Sequence, residues 1–314
     1  MPLLALGWRA GPAYRVGSLD GSRSQSPVAD ERFDSEMTEP ASLKSDDFGV
    51  ASKKSNEGGL WETIKVIVQA LLIALVIRTL LFQPFNIPSG SLIPTLLIGD
   101  YLFVSKYSYG YSHYSLPSFL DLAPAAMPGR IFASQPKRGD IIVFKLPRDG
   151  ETDYIKRLIG LPGDKIQLIK GRLYINGTIV ERTPLPPYAM EGQYGRATEV
   201  PHYEETLPGG VRHEIIQIAG DAGAEKKPDG SGLDVNNTGI YEVPPGQYFM
   251  MGDNRDNSSD SRFPADEGVG FVPFDNLIGR AEVIFFSVEE GEPAWQFWRW
   301  PWTVRWRRLF QPVR

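Results

Sequence analysis

DYIKRLIGLPGDKIQLIK, residues 153–170, reads as strand, turn, strand. A period of two puts Tyr154, Lys156 and Leu158 on one face of the first run and Ile155, Arg157 and Ile159 on the other. LPGD (161–164) supplies the proline and glycine of a tight turn before DKIQLIK. Short apolar runs of the same kind recur at YLFVSK (101–106), DIIVFKL (140–146), VRHEIIQI (211–218), QYFMM (247–251) and RAEVIFFSV (280–288). Turns such as INGT (175–178), LPGG (207–210) and PPGQ (244–247) separate them. The expected fold is therefore mainly β. A lysine inside a strand as apolar as YIKRLI is either an edge residue reaching water or a buried, functional one. The strand alone favours the first reading, and Lys106, Lys145 and Lys170 in similar strands are expected to be solvated.

Upstream lies a different texture. Residues 1–59 are polar and lack an apolar period, so they read as a disordered tail, with Met37 as a plausible alternative start. LWETIKVIVQALLIALVIRTLLF (60–82) follows, long enough as a helix to cross a bilayer core. Only Gln69 and Arg78 interrupt its apolar centre, and no small-residue cleavage site follows, so a retained span over 60–83 is expected. Lys44, Lys53, Lys54 and Lys65 lie at or before its start, whereas no Lys or Arg occurs between Gln83 and Ser105. That asymmetry leaves the N-terminus in the cytoplasm and exports the rest. At the other end, WQFWRWPWTVRWRRLFQPVR (295–314) holds five of the seven tryptophans, five arginines and no acid. The composition suits a lipid headgroup layer, and a tail covering a sheet edge is the alternative.

The 314 residues carry a net charge of −5, which gives no general attraction for nucleic acid. With no cysteine, disulfides, thiolate catalysis and cysteine-based zinc sites are excluded. Only His113, His202 and His213 could serve a histidine-based triad, and none combines an acidic partner with the turn geometry that would single it out. Yet NIPSGSLIPTLLIGD (86–100) presents Ser89 and Ser91 on a proline-framed loop just past the apolar run. A serine hydroxyl needs a base to become a nucleophile, and a buried lysine of depressed pKa is the alternative to histidine. GDNRDNSSDSR (252–262) is harder to explain as an ordinary solvated loop. Asp256, Ser258, Asp260 and Glu267 match some calcium-loop positions, but Ser261 stands where glycine is required and no flanking helices are evident, so no metal is expected. The loop could supply a hydroxyl that orients a lysine amine. The stretch 219–238 reads as an exposed loop.

PSGSLIPTLLIGD (88–100), RGDIIVFK (138–145), YIKRLIGLPGD (154–164) and GDNRDNSSDSR (252–262) resemble, in order, the motifs of bacterial type I signal peptidases. The likeness extends through GFVPFDNLIGRA (270–281). It implies a two-part antiparallel β catalytic region, 84–164 with 245–294, and an inserted second β domain over 165–244, while the interfacial reading of 295–314 rests on its Trp and Arg content alone. It also implies Ser91 as nucleophile, Lys156 as general base, Ser89 as oxyanion donor, Ser258 as a holder of the amine, and Asp260 with Arg262 as a supporting ion pair. Asp253 and Arg255 look structural. Substrate pockets would lie near Phe85, Ile87, Leu92, Leu96, Tyr154 and Ile155, accepting small side chains at the −1 and −3 positions of exported preproteins. Leu92 departs from the family's usual methionine, a change of shape more than of volume. The implied partners are preproteins, the lipid bilayer of the bacterial inner membrane and the export translocon, with no cofactor. A Ser-x-x-Lys enzyme of the penicillin-binding type is disfavoured, since its one candidate, SQPK (134–137), contains Pro136. The alternative from another class is an inactive, membrane-anchored binding relative.

Overall fold

A computed structural model describes residues 59–115, 129–191, 197–217 and 234–314. The tail expected over 1–59 lies outside these residues except for Gly59, and so do Met37 and most of the loop expected over 219–238. The apolar run forms α1 (Gly59–Val76), continued by a π-helical segment over Ile77–Leu81. These 23 residues make one helix long and apolar enough to cross a membrane. No side chain of α1 is buried against protein. Leaving such apolar surface in water costs about 25 cal/mol per Å², a cost that a hydrocarbon environment removes. The helix stops at Leu81, two residues short of the expected end at 83. Pro84 is the physical reason: it disfavours helical backbone at the preceding residue, and the chain goes extended from Phe82.

The extended segment is β1 (Phe82–Asn86), antiparallel to β2 (Asp100–Ser105) with Phe82 opposite Ser105. Next come β3 (Ile141–Lys145) and β4 (Asp153–Gly160), so YIKRLI is a strand as its alternation predicts. Residues 165–242 carry β5 (Lys165–Ile169), β6 (Arg172–Ile175), β7 (Thr178–Ile179), β8 (Glu181–Glu191), β9 (Ala197–Thr206), β10 (Arg212–Ile216) and β11 (Tyr241–Glu242). The chain returns through β12 (Gln247–Met251), β13 (Val272–Pro273), β14 (Leu277–Ser287) and β15 (Gln311–Pro312).

Three antiparallel sheets result. The largest runs β1-β2-β14-β3-β4-β12-β13, with β15 added beside β14. The strands of 165–242 build a four-stranded sheet, β11-β5-β6-β7, and a three-stranded one, β10-β9-β8. Asn176 and Gly177 both have positive φ, which closes the two-residue hairpin at INGT between β6 and β7. Both faces of the large sheet are covered. On β3, Ile141 and Val143 join one apolar cluster with Ile87, Leu92, Leu96 and Val104, while Ile142 and Phe144 join another with Leu158, Tyr248 and Met250. This burial on both sides surrounds β4 and brings its lysine out of water.

The C-terminal tail packs against the large sheet while exposing much of its aromatic surface. Phe310 N–H donates to Ile284 O at 2.7 Å and Val313 N–H to Glu282 O at 2.9 Å. Arg308 Nε donates to the buried Asp100 carboxylate at 3.0 Å, and its Nη2 to Thr95 O at 3.0 Å. Arg305 donates to Ile98 O, and Arg299 pairs with Glu292 at 2.6 Å. Trp300 leans on Phe286, but Trp295, Phe297, Trp298, Trp302, Trp306 and Phe310 stay exposed.

Candidate active site

Ser91 sits in a single 3-10 turn, Gly90–Leu92, entered from an extended Ser89 (φ −132°, ψ 149°). Extended backbone at Ser89 followed by an abrupt turn presents Ser91 toward β4, while Leu92 and Leu96 turn into the core. Lys156 Nζ stands 2.7 Å from Ser91 Oγ, and both side chains are buried. A second contact, 3.1 Å to Ile155 O, fixes the direction of the amine. The amine also lies over the Tyr154 ring, 5.4 Å from its centroid. Burial lowers the Lys156 pKa from 10.5 to about 8; Asp260 and Asp253 pull it upward and Arg262 downward. The sequence alone favoured the solvated reading of this lysine and of Lys106; the two-sided packing of β4 reverses it for Lys156, and Lys106 is buried as well, with burial lowering its pKa to about 8.

The histidines have other surroundings. His202 meets Glu214 and Pro186 O, and His113 packs on Tyr114. His213 is buried between Glu205 and Asp253, where burial pushes its pKa down to about 3. Among the described residues, no group of three or more His, Cys, Asp or Glu side chains converges as a metal site.

The polar loop 252–262 is the wall behind Ser91. Asn254 N–H donates to Ser91 O at 3.1 Å, and Asn254 Nδ2 donates to Gly90 O at 3.2 Å. Gly252 makes this approach possible, since a methyl group there would collide with the Ser258 side chain and the Ser91 carbonyl oxygen. Ser258 is therefore next to the nucleophile's backbone, though its hydroxyl makes no hydrogen bond to Lys156. Asp260 and Arg262 are fully buried and paired at 2.8 Å, and Asp260 also accepts Gly252 N–H at 3.0 Å. Burial would raise the Asp260 pKa, but the Arg262 charge and hydrogen bond hold it below the ordinary carboxylate value. Beneath the lysine, Arg157 grips Asp253 through two bonds of 2.8 and 2.7 Å, and Thr95 donates to the same carboxylate at 2.6 Å. The turn before β2, strand β4 and the 252–262 loop are thus locked by one buried ion pair.

A cleft of about 350 Å³ opens on this pair, lined by Pro88, Ser89, Gly90 and Ser91 on one side and Asp153, Tyr154, Ile155 and Lys156 on the other, with Asn257 and Ser259 completing it. Ser89 is exposed to it. Of the residues expected near substrate, Tyr154 and Ile155 line this cleft. Phe85 is half-buried against the apolar cluster that contains Ile87, Leu92 and Leu96, and none of these four lines the cleft.

The signal peptidase family, peptidase S26, matches residues 60–286. The chain belongs to that family. Signal peptidase I of Rickettsia typhi (strain ATCC VR-144 / Wilmington) is 48% identical over 219 residues, covering 70% of this chain and 77% of that protein. Signal peptidase I of Rickettsia canadensis (strain McKiel) is 46% identical over 229 residues, covering 73% and 80%. A crystal structure of a signal peptidase I from Enterococcus faecalis V583 is 26% identical, covering 47% of this chain and 97% of that one, with a TM-score of 0.25. By this family match and these identities the chain is a signal-peptidase-I-type peptidase, and the one long apolar helix among the described residues fits a membrane-anchored protein.

Some members of this peptidase's site escaped the sequence. Arg157, Thr95, Gly252 and Asn254 shape the nucleophile turn, and only the richness of GDNR in turn-forming and charged residues hinted at the last two. Glu205 and His213 gave less signal still. His213 shares its strand face with buried Ile215, an alternation that would have marked it as inward-facing.

Proposed function

We propose that this signal peptidase cleaves the signal peptides of exported preproteins with Ser91 as nucleophile and Lys156 as general base. The observation that carries the reading is the 2.7 Å contact between two buried groups, one of them an amine depressed to about 8. A neutral amine offers one lone pair, which takes the Ser91 proton as Oγ attacks the scissile carbonyl. Its two N–H bonds need acceptors; Ile155 O is one, and Ser258 is the candidate for the other. The oxyanion would meet the Ser89 hydroxyl and the Ser91 N–H, where one donor is worth about 3 kcal/mol of barrier. Lys156 then returns the proton to the leaving amine, the peptide bond breaks, and a Lys156-activated water hydrolyses the ester on Ser91. Asp260 and Arg262 support the loop.

Preproteins with small side chains at −1 and −3 are the proposed substrates, docking near Tyr154, Ile155 and the apolar cluster of Phe85, Ile87, Leu92 and Leu96. The proposed setting is the bacterial inner membrane, with the N-terminus cytoplasmic, residues 84–164 and 245–294 as the exported catalytic part, and 165–244 inserted. Anchoring enzyme and signal helix in one bilayer would raise their effective concentration. The exposed aromatics of 295–314 would enter the headgroup layer, and the export translocon is a proposed neighbour. Ser91→Ala in the detergent-solubilised full chain should abolish cleavage of an Ala-x-Ala preprotein without unfolding it. Cleavage at the wild-type rate would remove Ser91 from the reaction, and no observation favours an inactive binding relative.

A further inference from the structure

The three-stranded sheet β10-β9-β8 does not end at β10. Ile216 N–H donates to Asp253 O at 3.1 Å, and Arg255 N–H donates back to Ile216 O at 3.0 Å. Residues 253–255 thus run beside β10 as a parallel extension of that sheet, joined at Ile216 and Asn254. The next contact in the chain of bonds is Asn254 N–H to Ser91 O. A side-chain link parallels the backbone one. Glu205 on β9 is buried and holds the Arg255 guanidinium at both oxygens, Oε1 at 3.0 Å and Oε2 closer still. Arg255 Nε donates to Gly252 O at 3.2 Å, and Arg255 O accepts from Arg262 Nη2 at 2.5 Å. His213 on β10 lies across both carboxylates, 3.6 Å from Glu205 and 4.0 Å from Asp253.

We propose that Glu205, through its two-pronged hold on Arg255, is a positioning residue for the Ser91–Lys156 pair, which makes the 181–216 sheet part of the catalytic scaffold. The inference rests on Ser91 and Lys156 as the reacting groups. Arg255 touches neither of them; its role is to fix residues 252–255, the stretch whose N–H at Asn254 sets the Ser91 carbonyl. A planar guanidinium held at both ends by a carboxylate has one orientation, so the loop it anchors has one position. Removing the charge from Glu205 leaves a buried guanidinium without a counter-charge, and the loop can then relax away from the nucleophile turn. A small displacement of a nucleophile from its base is expensive in rate and cheap in substrate binding, because the cleft walls 88–91 and 153–156 remain.

The test uses the full chain in detergent with an Ala-x-Ala preprotein. Glu205→Gln should lower kcat about tenfold and leave KM within twofold, while amide exchange rises over 252–258 but not over the β8–β9 hairpin. Arg255→Gln should cost a similar factor. The double variant should be no slower than the worse single one, because both changes break the same link. Arg255→Lys, which keeps the charge and loses the fork, is a gentler route if Glu205→Gln does not fold, and it should show the same loss in kcat at constant KM. Wild-type kcat in folded Glu205→Gln or Arg255→Lys would overturn the proposal, as would multiplicative losses in the double variant. Failure of both variants to fold would overturn it too, since the pair would then be a folding element. Ser91→Ala run alongside separates the two readings: activity surviving there sinks the Ser/Lys reading, whereas inactive Ser91→Ala beside fully active Glu205→Gln sinks only this one.

Discussion

The pH dependence of cleavage tests the Lys156 assignment most directly. Only the neutral amine can take the Ser91 proton, so the rate follows the deprotonated fraction. At its ordinary pKa of 10.5, about one lysine in three thousand would be neutral at pH 7. At about 8 the share rises to about one in ten. The difference is about 3 kcal/mol in favour of the neutral form, and its largest cause is burial between β4 and the nucleophile turn. The sign is therefore set: kcat/KM should climb as pH rises, by about tenfold between pH 7 and pH 9, with its midpoint near 8. The assay is initial cleavage of a preprotein at concentrations well below KM, in buffers of constant ionic strength from pH 6 to 10. A profile still rising at pH 10 would mean a solvated lysine and a different arrangement of β4. A midpoint near 6.5 would point to a histidine base, and a flat profile would remove proton transfer by Lys156 from the limiting step.

Lys156→Met keeps a buried side chain of similar length and removes the lone pair, so cleavage should fall at least a hundredfold at every pH with the melting temperature maintained or raised; retained cleavage would place the base elsewhere. Gly252→Ala forces a methyl into Ser258 and the Ser91 carbonyl, and the overpacking should cost about 1–3 kcal/mol in stability and at least tenfold in kcat, read by melting and by turnover. His213, neutral in the fold with its pKa near 3 and facing Glu205, Asp253, Arg157 and Arg255, binds a proton far more readily when unfolded. Stability from this group is present above about pH 6.5 and is lost as pH falls toward 3, at up to ~1.4 kcal/mol per pH unit, which urea unfolding at pH 7, 5 and 4 would measure against His213→Leu. For the tail, the paired change Trp295→Ala and Trp302→Ala removes two exposed rings without touching Arg308 and Asp100, so vesicle binding should weaken while the melting temperature stays within a few degrees; unchanged binding would leave the rings without a membrane role.

The Lys156 and tail experiments also mark the limit of what the letters convey. Short apolar runs bounded by turn residues were enough to place β2, β3, β4, β5, β10, β12 and β14, because both signals are local. It could not tell that both faces of β4 are covered, since that depends on which strands flank it, and so Lys156 looked ordinary until neighbouring clusters were seen on each side. The tail shows the same gap. Its Trp and Arg content pointed to lipid, yet Arg299, Arg305 and Arg308 turn to Glu292, Ile98 O and Asp100, which leaves the rings with Arg307 and Arg314 exposed. A guanidinium that serves lipid and one that straps a turn are identical as letters; the difference is a buried aspartate about two hundred residues away in sequence, brought close by the pairing of β2 with β14. Truncating 295–314 is consequently a poor probe of membrane contact, because it would also release Thr95 and Asp100, and Thr95 is bonded to the carboxylate that Arg157 holds beneath Lys156. Ring substitutions at the exposed face separate the two effects, and the separation is possible only because the tail's anchoring side chains and its exposed ones are different residues.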